Sequence, residues 1–199
     1  MYDLDVIGHY DLLIEEDNDP FRDSPVLQEY MSQWDGEPFI EALELAGDKN
    51  VLEIGIGTGR LAGKTAPLCG TLTGIDISPK TIGRAKENLQ AHRNITFICG
   101  DFLEHPFAGR FDVIYSSLTM MHFSDKERVI AKAVSLLNRG GIFCLSIDKD
   151  QSGYIDMGTR RVKVYPDTPD HIKALIAAAG MTVGKVFETG QAYIIVSRK

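Results

Sequence analysis

The chain is 199 residues long, 44% hydrophobic and 25% charged, ordinary for a soluble globular domain and long enough to bury its own core. No apolar run reaches the roughly 20 residues a membrane span needs, and the opening Met1-Tyr2-Asp3-Leu4-Asp5 is acidic where a secretory leader is basic, so a cytoplasmic protein is expected. Net charge is −7, but residues 1–50 carry 14 acids against two bases (−12) while the remainder carries +5; such a balance disfavours nucleic acid as a partner.

Up to about Asp23 the chain is polar and acidic and reads as irregular, either a solvated face or a surface that attracts a cationic partner. Ser24-Pro25 then caps an amphipathic helix carrying Val26, Leu27, Tyr30, Met31 and Trp34, and after Gly36 a second short helix begins at Pro38. Residues 1–47 are thus expected to form a helical extension, placed as a lid over a single domain at 48–199. From Asn50 onward strands and helices alternate. Strands are predicted at Val51 to Ile54, Thr71 to Ile75, Ile95 to Cys99, Phe111 to Tyr115 and Ile142 to Ile147. Helices are predicted at Thr58 to Leu68, from Ser78-Pro79 to about His92, after a Ser124-Asp125-Lys126-Glu127 capping box, and from Thr168-Pro169 to Gly180. Continuous apolar strands alternating with helices predict a parallel sheet covered on both faces. Thr182 to Phe187 and Ala192 to Ser197, joined only by a tight turn at Thr189-Gly190, must pair antiparallel. Lys149 to Asp167 is too long for a plain connection and reads as a lid or a disordered loop.

Gly55-Ile56-Gly57-Thr58-Gly59 falls at a strand-to-helix turn, where glycines let backbone approach a ligand and the following helix presents free amides. Asp76 lies at the tip of the next strand, 17 residues beyond Gly59, in position to accept hydrogen bonds from both hydroxyls of a ribose; the competing reading is a helix N-terminal acid beside Ser78. Asp101 follows the third strand, where a carboxylate takes the exocyclic amine of an adenine with Phe102 on the ring face, or merely caps the next turn. The cysteines Cys69, Cys99 and Cys144 have no paired spacing, and two of them sit in apolar runs as buried free thiols.

Glu53 with the Gly55/Gly57/Gly59 turn, Gly74-Ile75-Asp76-Ile77-Ser78, Gly100-Asp101-Phe102 and Phe111-Asp112-Val113-Ile114-Tyr115-Ser116-Ser117 occur in the order and spacing of the class I S-adenosylmethionine-dependent methyltransferases, which the chain resembles from about Asp48 to Lys199. The resemblance implies a Rossmann-like α/β fold with a mostly parallel seven-stranded sheet, an antiparallel last strand and helices on both faces. It implies S-adenosylmethionine as cofactor and S-adenosylhomocysteine as product. Glu53 and the glycines would hold the methionine end, Asp76 the ribose, and Asp101 with Phe102 the adenine. Ile77 would pack on the other face of the base, and Ser116 and Ser117 would border the methionine amino group and the substrate. Tyr10-Asp11 resembles the Tyr-Asp pair of small-molecule methyltransferases whose tyrosine folds over the cofactor.

The tip of the fourth strand lacks the Asn/Asp-Pro-Pro-Tyr motif of many enzymes that methylate amide or exocyclic nitrogens of macromolecules, the Pro-Cys pair of cytosine C5 enzymes, and the Asp of metal-dependent catechol-type enzymes. A small-molecule acceptor is left. His122 lies just past that tip, as a general base or as a pocket-lining side chain; no metal site is expected from the other histidines. Arg160 and Arg161 either bind a carboxylate substrate or face the acidic leader. Two other readings stay open: a protein that binds the cofactor without catalysis, and a nicotinamide-dependent oxidoreductase, which wants a glycine where Arg60 stands.

Overall fold

A computed structural model describes residues 2–199. Its strands are β1 (Tyr2–Leu4), β2 (Asn50–Ile54), β3 (Thr71–Asp76), β4 (Ile95–Cys99), β5 (Phe111–Ser117), β6 (Leu137–Asp148), β7 (Tyr154–Asp156), β8 (Arg160–Lys163), β9 (Thr182–Glu188) and β10 (Ala192–Arg198). Its α-helices are α1 (Val6–Glu15), α2 (Pro25–Met31), α3 (Gly36–Ala42), α4 (Ala62–Thr65), α5 (Pro79–Asn88), α6 (Lys126–Leu136) and α7 (Pro169–Ala178).

Seven strands form one sheet in the order β4-β3-β2-β5-β6-β10-β9. The first five run parallel, and β10 lies antiparallel to both of its neighbours, β6 and β9. Alternation along the buried strands sends successive side chains to opposite faces. Leu52, Ile54, Ile114, Phe143 and Leu145 meet α6 and α7 on one face. Val51, Val113, Tyr115, Ile142 and Cys144 meet Phe39 of α3, Leu43 just beyond that helix and Ile82 of α5 on the other. Strand order reverses between β2 and β5, and the carboxyl ends flanking that point are where open α/β sheets hold ligands.

Several local expectations change. The leader is ordered: Asp5 caps α1 by accepting from the Gly8 amide at 2.6 Å, and α1 packs against α5. Its acids find cations on the body, with Glu15 paired to Lys80, Glu16 to Arg160, and Asp17 and Asp19 to Arg84 at 3.2 Å. The stretch from Lys149 to Asp167 is not wholly loop. It folds as the β7–β8 hairpin, which recruits β1 into a second, three-stranded sheet, with β1 parallel to β8 and Tyr2 opposite Arg160.

Helix lengths shift too. The helix expected over Thr58 to Leu68 shrinks to α4 plus a 3₁₀ turn, because the glycine turn occupies its start and Pro67 tightens its end. α5 stops at Asn88 rather than His92. The cap of α6 is Asp125, accepting from the Arg128 amide at 3.0 Å, one residue later than the sequence suggests. α3 starts at Gly36, ahead of Pro38, capped by Asp35. Val26, Leu27 and Tyr30 of α2 are exposed, so the apolar face of that helix is not covered by this chain. Of the cysteines, Cys69 and Cys144 are buried while Cys99, whose apolar strand leaves it near a sheet edge, is exposed.

Candidate functional site

At the switch point lies a cleft of about 330 Å³, walled by the tips of β2, β3 and β5 and, from the leader, by Val6, Tyr10 and Pro20. The glycine turn shapes its floor. Gly57 has φ +56°, and a Cβ there would project into open space rather than protein, so only backbone borders the cleft at that point. Gly59, at φ +96°, does not line the cleft: a Cβ would sit 2.5 Å from Leu89 Cδ1, so this glycine serves helix packing.

The Asp76 carboxylate ends β3 inside the cleft. Oδ2 accepts from the Gly57 amide and Oδ1 from the Ser78 amide, both at 3.0 Å. The two readings of this residue therefore coexist, since it anchors the α5 entry and still presents carboxylate lone pairs to the cleft. Burial raises its pKa against the pull of these amides. Asp101 behaves likewise, accepting from the Leu103 amide at 2.7 Å while lining the cleft. Ile77 and Phe102 supply apolar walls; Phe102 is also part of the core, edge-on to Phe123.

At the β2 end, Glu53 is buried and accepts from the Tyr115 hydroxyl at 2.8 Å, which itself lies 2.8 Å from Thr65 Oγ1. Burial pushes the Glu53 carboxyl up to about 8, so its neutral acid form is populated at neutral pH. Ser117 lines the cleft and donates to Asp35 at 2.9 Å. Ser116 points the other way, buried and donating to the Ile54 carbonyl at 3.0 Å, as strand alternation requires. Asp35 is fully buried and grips Arg60 through both carboxylate oxygens, holding that guanidinium at the cleft wall.

Tyr10 reaches over from α1 and places its hydroxyl 2.7 Å from His122 Nε2. Burial lowers the imidazole pKa to about 4 and raises that of the phenol. Both are neutral near pH 7, so Tyr10 and His122 share one neutral hydrogen bond, and His122 Nδ1 is buried without a partner. Beside them, Leu118 has φ +55°, a conformation that branched side chains rarely take. Together with Met31 and Thr119 it separates the cleft from a second cavity of about 560 Å³.

Residues 51–141 match the family model described as a methyltransferase domain. An uncharacterised methyltransferase of Bacillus cytotoxicus is 40% identical over 109 residues, covering 53% of this chain and 50% of that protein. The chain thus spans about half the length of the curated relatives it matches. Among solved structures, the N-methyltransferase NodS of Bradyrhizobium japonicum, in complex with S-adenosylhomocysteine, superposes with a TM-score of 0.76 at 21% identity, covering 97% of both chains. The magnesium protoporphyrin IX methyltransferase of Synechocystis, with bound S-adenosylmethionine, gives a TM-score of 0.76 at 16% identity over 98% and 95% of the two chains. The chain has a Rossmann-like α/β methyltransferase fold.

Within this methyltransferase fold, Glu53, Gly55, Gly57, Asp76, Ile77, Asp101, Phe102, Ser117, Tyr10 and His122 all border one cleft, whereas Gly59 and Ser116 support it from behind. The sequence did not disclose Tyr115, Asp35, Leu118 or Thr119. Asp35 is one acid among 14 in residues 1–50, and its total burial singles it out. Arg160 and Arg161 face the leader, paired with Glu16 and Asp3. Among the described residues, no group of three or more His, Cys, Asp or Glu is arranged to hold a metal ion, and no helix is long and apolar enough to cross a membrane.

Proposed function

We propose that the protein transfers the methyl group of S-adenosylmethionine to a small-molecule acceptor, leaving S-adenosylhomocysteine. The observation that carries this reading is the Asp76 carboxylate at the tip of β3, pinned by the Gly57 and Ser78 amides and facing a cleft at the sheet's switch point. Asp76 would receive the ribose hydroxyls, and Asp101 the adenine amine between Phe102 and Ile77. Glu53, the Gly55 and Gly57 backbone and Ser117 would hold the methionine end, with Arg60 beside them. The fit is one of chemistry: a largely apolar cleft bordered by the carboxyl groups of Glu53, Asp76 and Asp101, with backbone in place of side chain at Gly57.

When bound, S-adenosylmethionine supplies an electrophilic methyl on a sulfonium, so the acceptor needs an available lone pair and alignment. Val6, Tyr10 and Pro20 of the leader line one side of the cleft and would limit water around a bound cofactor, and the neutral Tyr10–His122 pair supplies an uncharged wall there. His122 acts here by positioning, since an imidazole whose pKa is near 4 is a weak base. A small acceptor is supported by the leader-lined cleft and by the net negative charge, which repels polyanions; the cyanobacterial neighbour's name likewise gives a small molecule.

Calorimetric titration with S-adenosylhomocysteine and, separately, NADH tests the cofactor, followed by transfer of labelled methyl to a metabolite panel. Saturable binding of S-adenosylhomocysteine with no comparable NADH binding is expected. Preferential NADH binding would overturn the reading, and tight cofactor binding with no transfer to any acceptor would leave a binding protein instead.

A further inference from the structure

We infer that the second cavity is the acceptor site and that it selects a small molecule which carries, apart from its nucleophilic atom, a protonated amine or another organic cation; this rests on the methyl-transfer reading above. The cavity of about 560 Å³ meets the cleft at Met31, Leu118 and Thr119, so an occupant lies next to the methyl-bearing end proposed for the cofactor. It is built largely from the leader, through Met31 and Trp34, and from the Lys149–Asp167 stretch, through residues such as Asp150 and Tyr154.

The charge balance of its lining decides the ligand class. Four carboxylates border the cavity and no Lys, Arg or His does. Asp167 is neutralised by Lys126 at 2.5 Å, and Asp156 stands in the field of Arg161, which packs over the Tyr154 ring at 4.2 Å and is itself paired with Asp3. Asp148 and Asp150 remain, and neither has a cationic partner among the described residues. Asp148 accepts from the Trp34 indole N–H at 3.0 Å and from the Asp150 amide at 2.8 Å. Asp150 accepts from the Ser152 amide and hydroxyl at 2.8 and 3.0 Å.

These donors orient the two carboxylates without cancelling their charge. Trp34 is itself fixed, edge-on to Tyr30 and with its carbonyl bonded by Ser146. A held indole beside two uncompensated carboxylates, in a pocket with no cation in its lining, favours an organic cation through both ion pairing and cation–π attraction. It rejects carboxylates and phosphates by repulsion.

Three probes of matched chain length test this on the full chain saturated with S-adenosylhomocysteine: 3-phenylpropylamine, 3-phenylpropanol and 3-phenylpropionate, each titrated by calorimetry. The amine is expected to bind at least about tenfold more tightly than the other two. The double variant Asp148→Asn/Asp150→Asn, which removes both charges and leaves one carbonyl oxygen at 148 to accept from Trp34, is expected to lose about tenfold in amine affinity. Its affinities for S-adenosylhomocysteine and for the alcohol should not change. Equal binding of the alcohol or the acid, no amine binding, or a folded double variant with undiminished amine affinity would each overturn the inference. Failure of S-adenosylhomocysteine to bind would instead overturn the cofactor reading. The same amine comparison between wild type and double variant, on the free chain, would then still decide the selectivity of the cavity.

Discussion

At the scale of single residues, burial in the cleft displaces the titrations of Glu53 and His122 in opposite directions. The Glu53 pKa is raised to about 8, so the folded chain binds a proton there that the unfolded chain releases above its ordinary carboxylate pKa. That contribution to stability is complete at low pH and is lost as pH rises through about 8. His122 runs the other way: lowered to about 4, it contributes stability above its ordinary pKa near 6.5 and loses it as pH falls toward 4. Urea melts across pH 4.5–9 should therefore show a flatter alkaline limb in Glu53→Gln and a flatter acid limb in His122→Asn; unchanged slopes would place these protons elsewhere. Asp35→Ala strands the Arg60 guanidinium and frees the Ser117 hydroxyl, so a loss of about 3 kcal/mol in urea stability is expected. Asp76→Ala removes the charged acceptor proposed for the ribose, and S-adenosylhomocysteine affinity should fall by about 10- to 100-fold by calorimetry. If it does not, Asp76 only anchors α5.

At the scale of elements, the leader and the β7–β8 hairpin order one another. α1 touches the body through charged pairs as much as through apolar contact, with His9 its one buried side chain. Glu16 is held below the usual carboxylate range by its bond to Arg160. Raising salt from 50 mM to 500 mM should screen these pairs, and hydrogen exchange in Val6–Glu15 should quicken by about tenfold relative to α6, with Arg160→Ala giving the same change at low salt. Equal response of α1 and α6 would show that apolar packing alone holds the leader. This long-range dependence explains why these parts were illegible in sequence. The partners of Glu15, Asp17 and Glu16 lie 65, 67 and 144 residues away, and no local pattern marks them. The strand tips were legible because their signals are local: glycines at a turn, an acid two residues before a capping serine, and apolar runs long enough only for strands.

At the scale of the whole molecule, the cleft is bordered by both the seven-stranded sheet and the leader, so a ligand in it couples regions that the sheet alone does not connect. Tyr10 is the joint: it sits on α1, bonds His122 beyond the tip of β5, and shares the cleft with Asp76 of β3. A ligand that binds only the native state stabilises it in proportion to the logarithm of its concentration, by about 2.7 kcal/mol at one hundred times Kd. S-adenosylhomocysteine at that level should raise the unfolding free energy by about this amount. It should also slow exchange in Val6–Glu15 together with the Gly55–Gly59 turn and the start of α5. The distribution discriminates better than the size. Protection confined to the sheet tips would mean that the leader does not close on the ligand, whatever the affinity. Protection that includes α1 in the wild type and vanishes there in Tyr10→Ala, while remaining at the glycine turn, would show that one side chain makes the acidic leader part of the binding site.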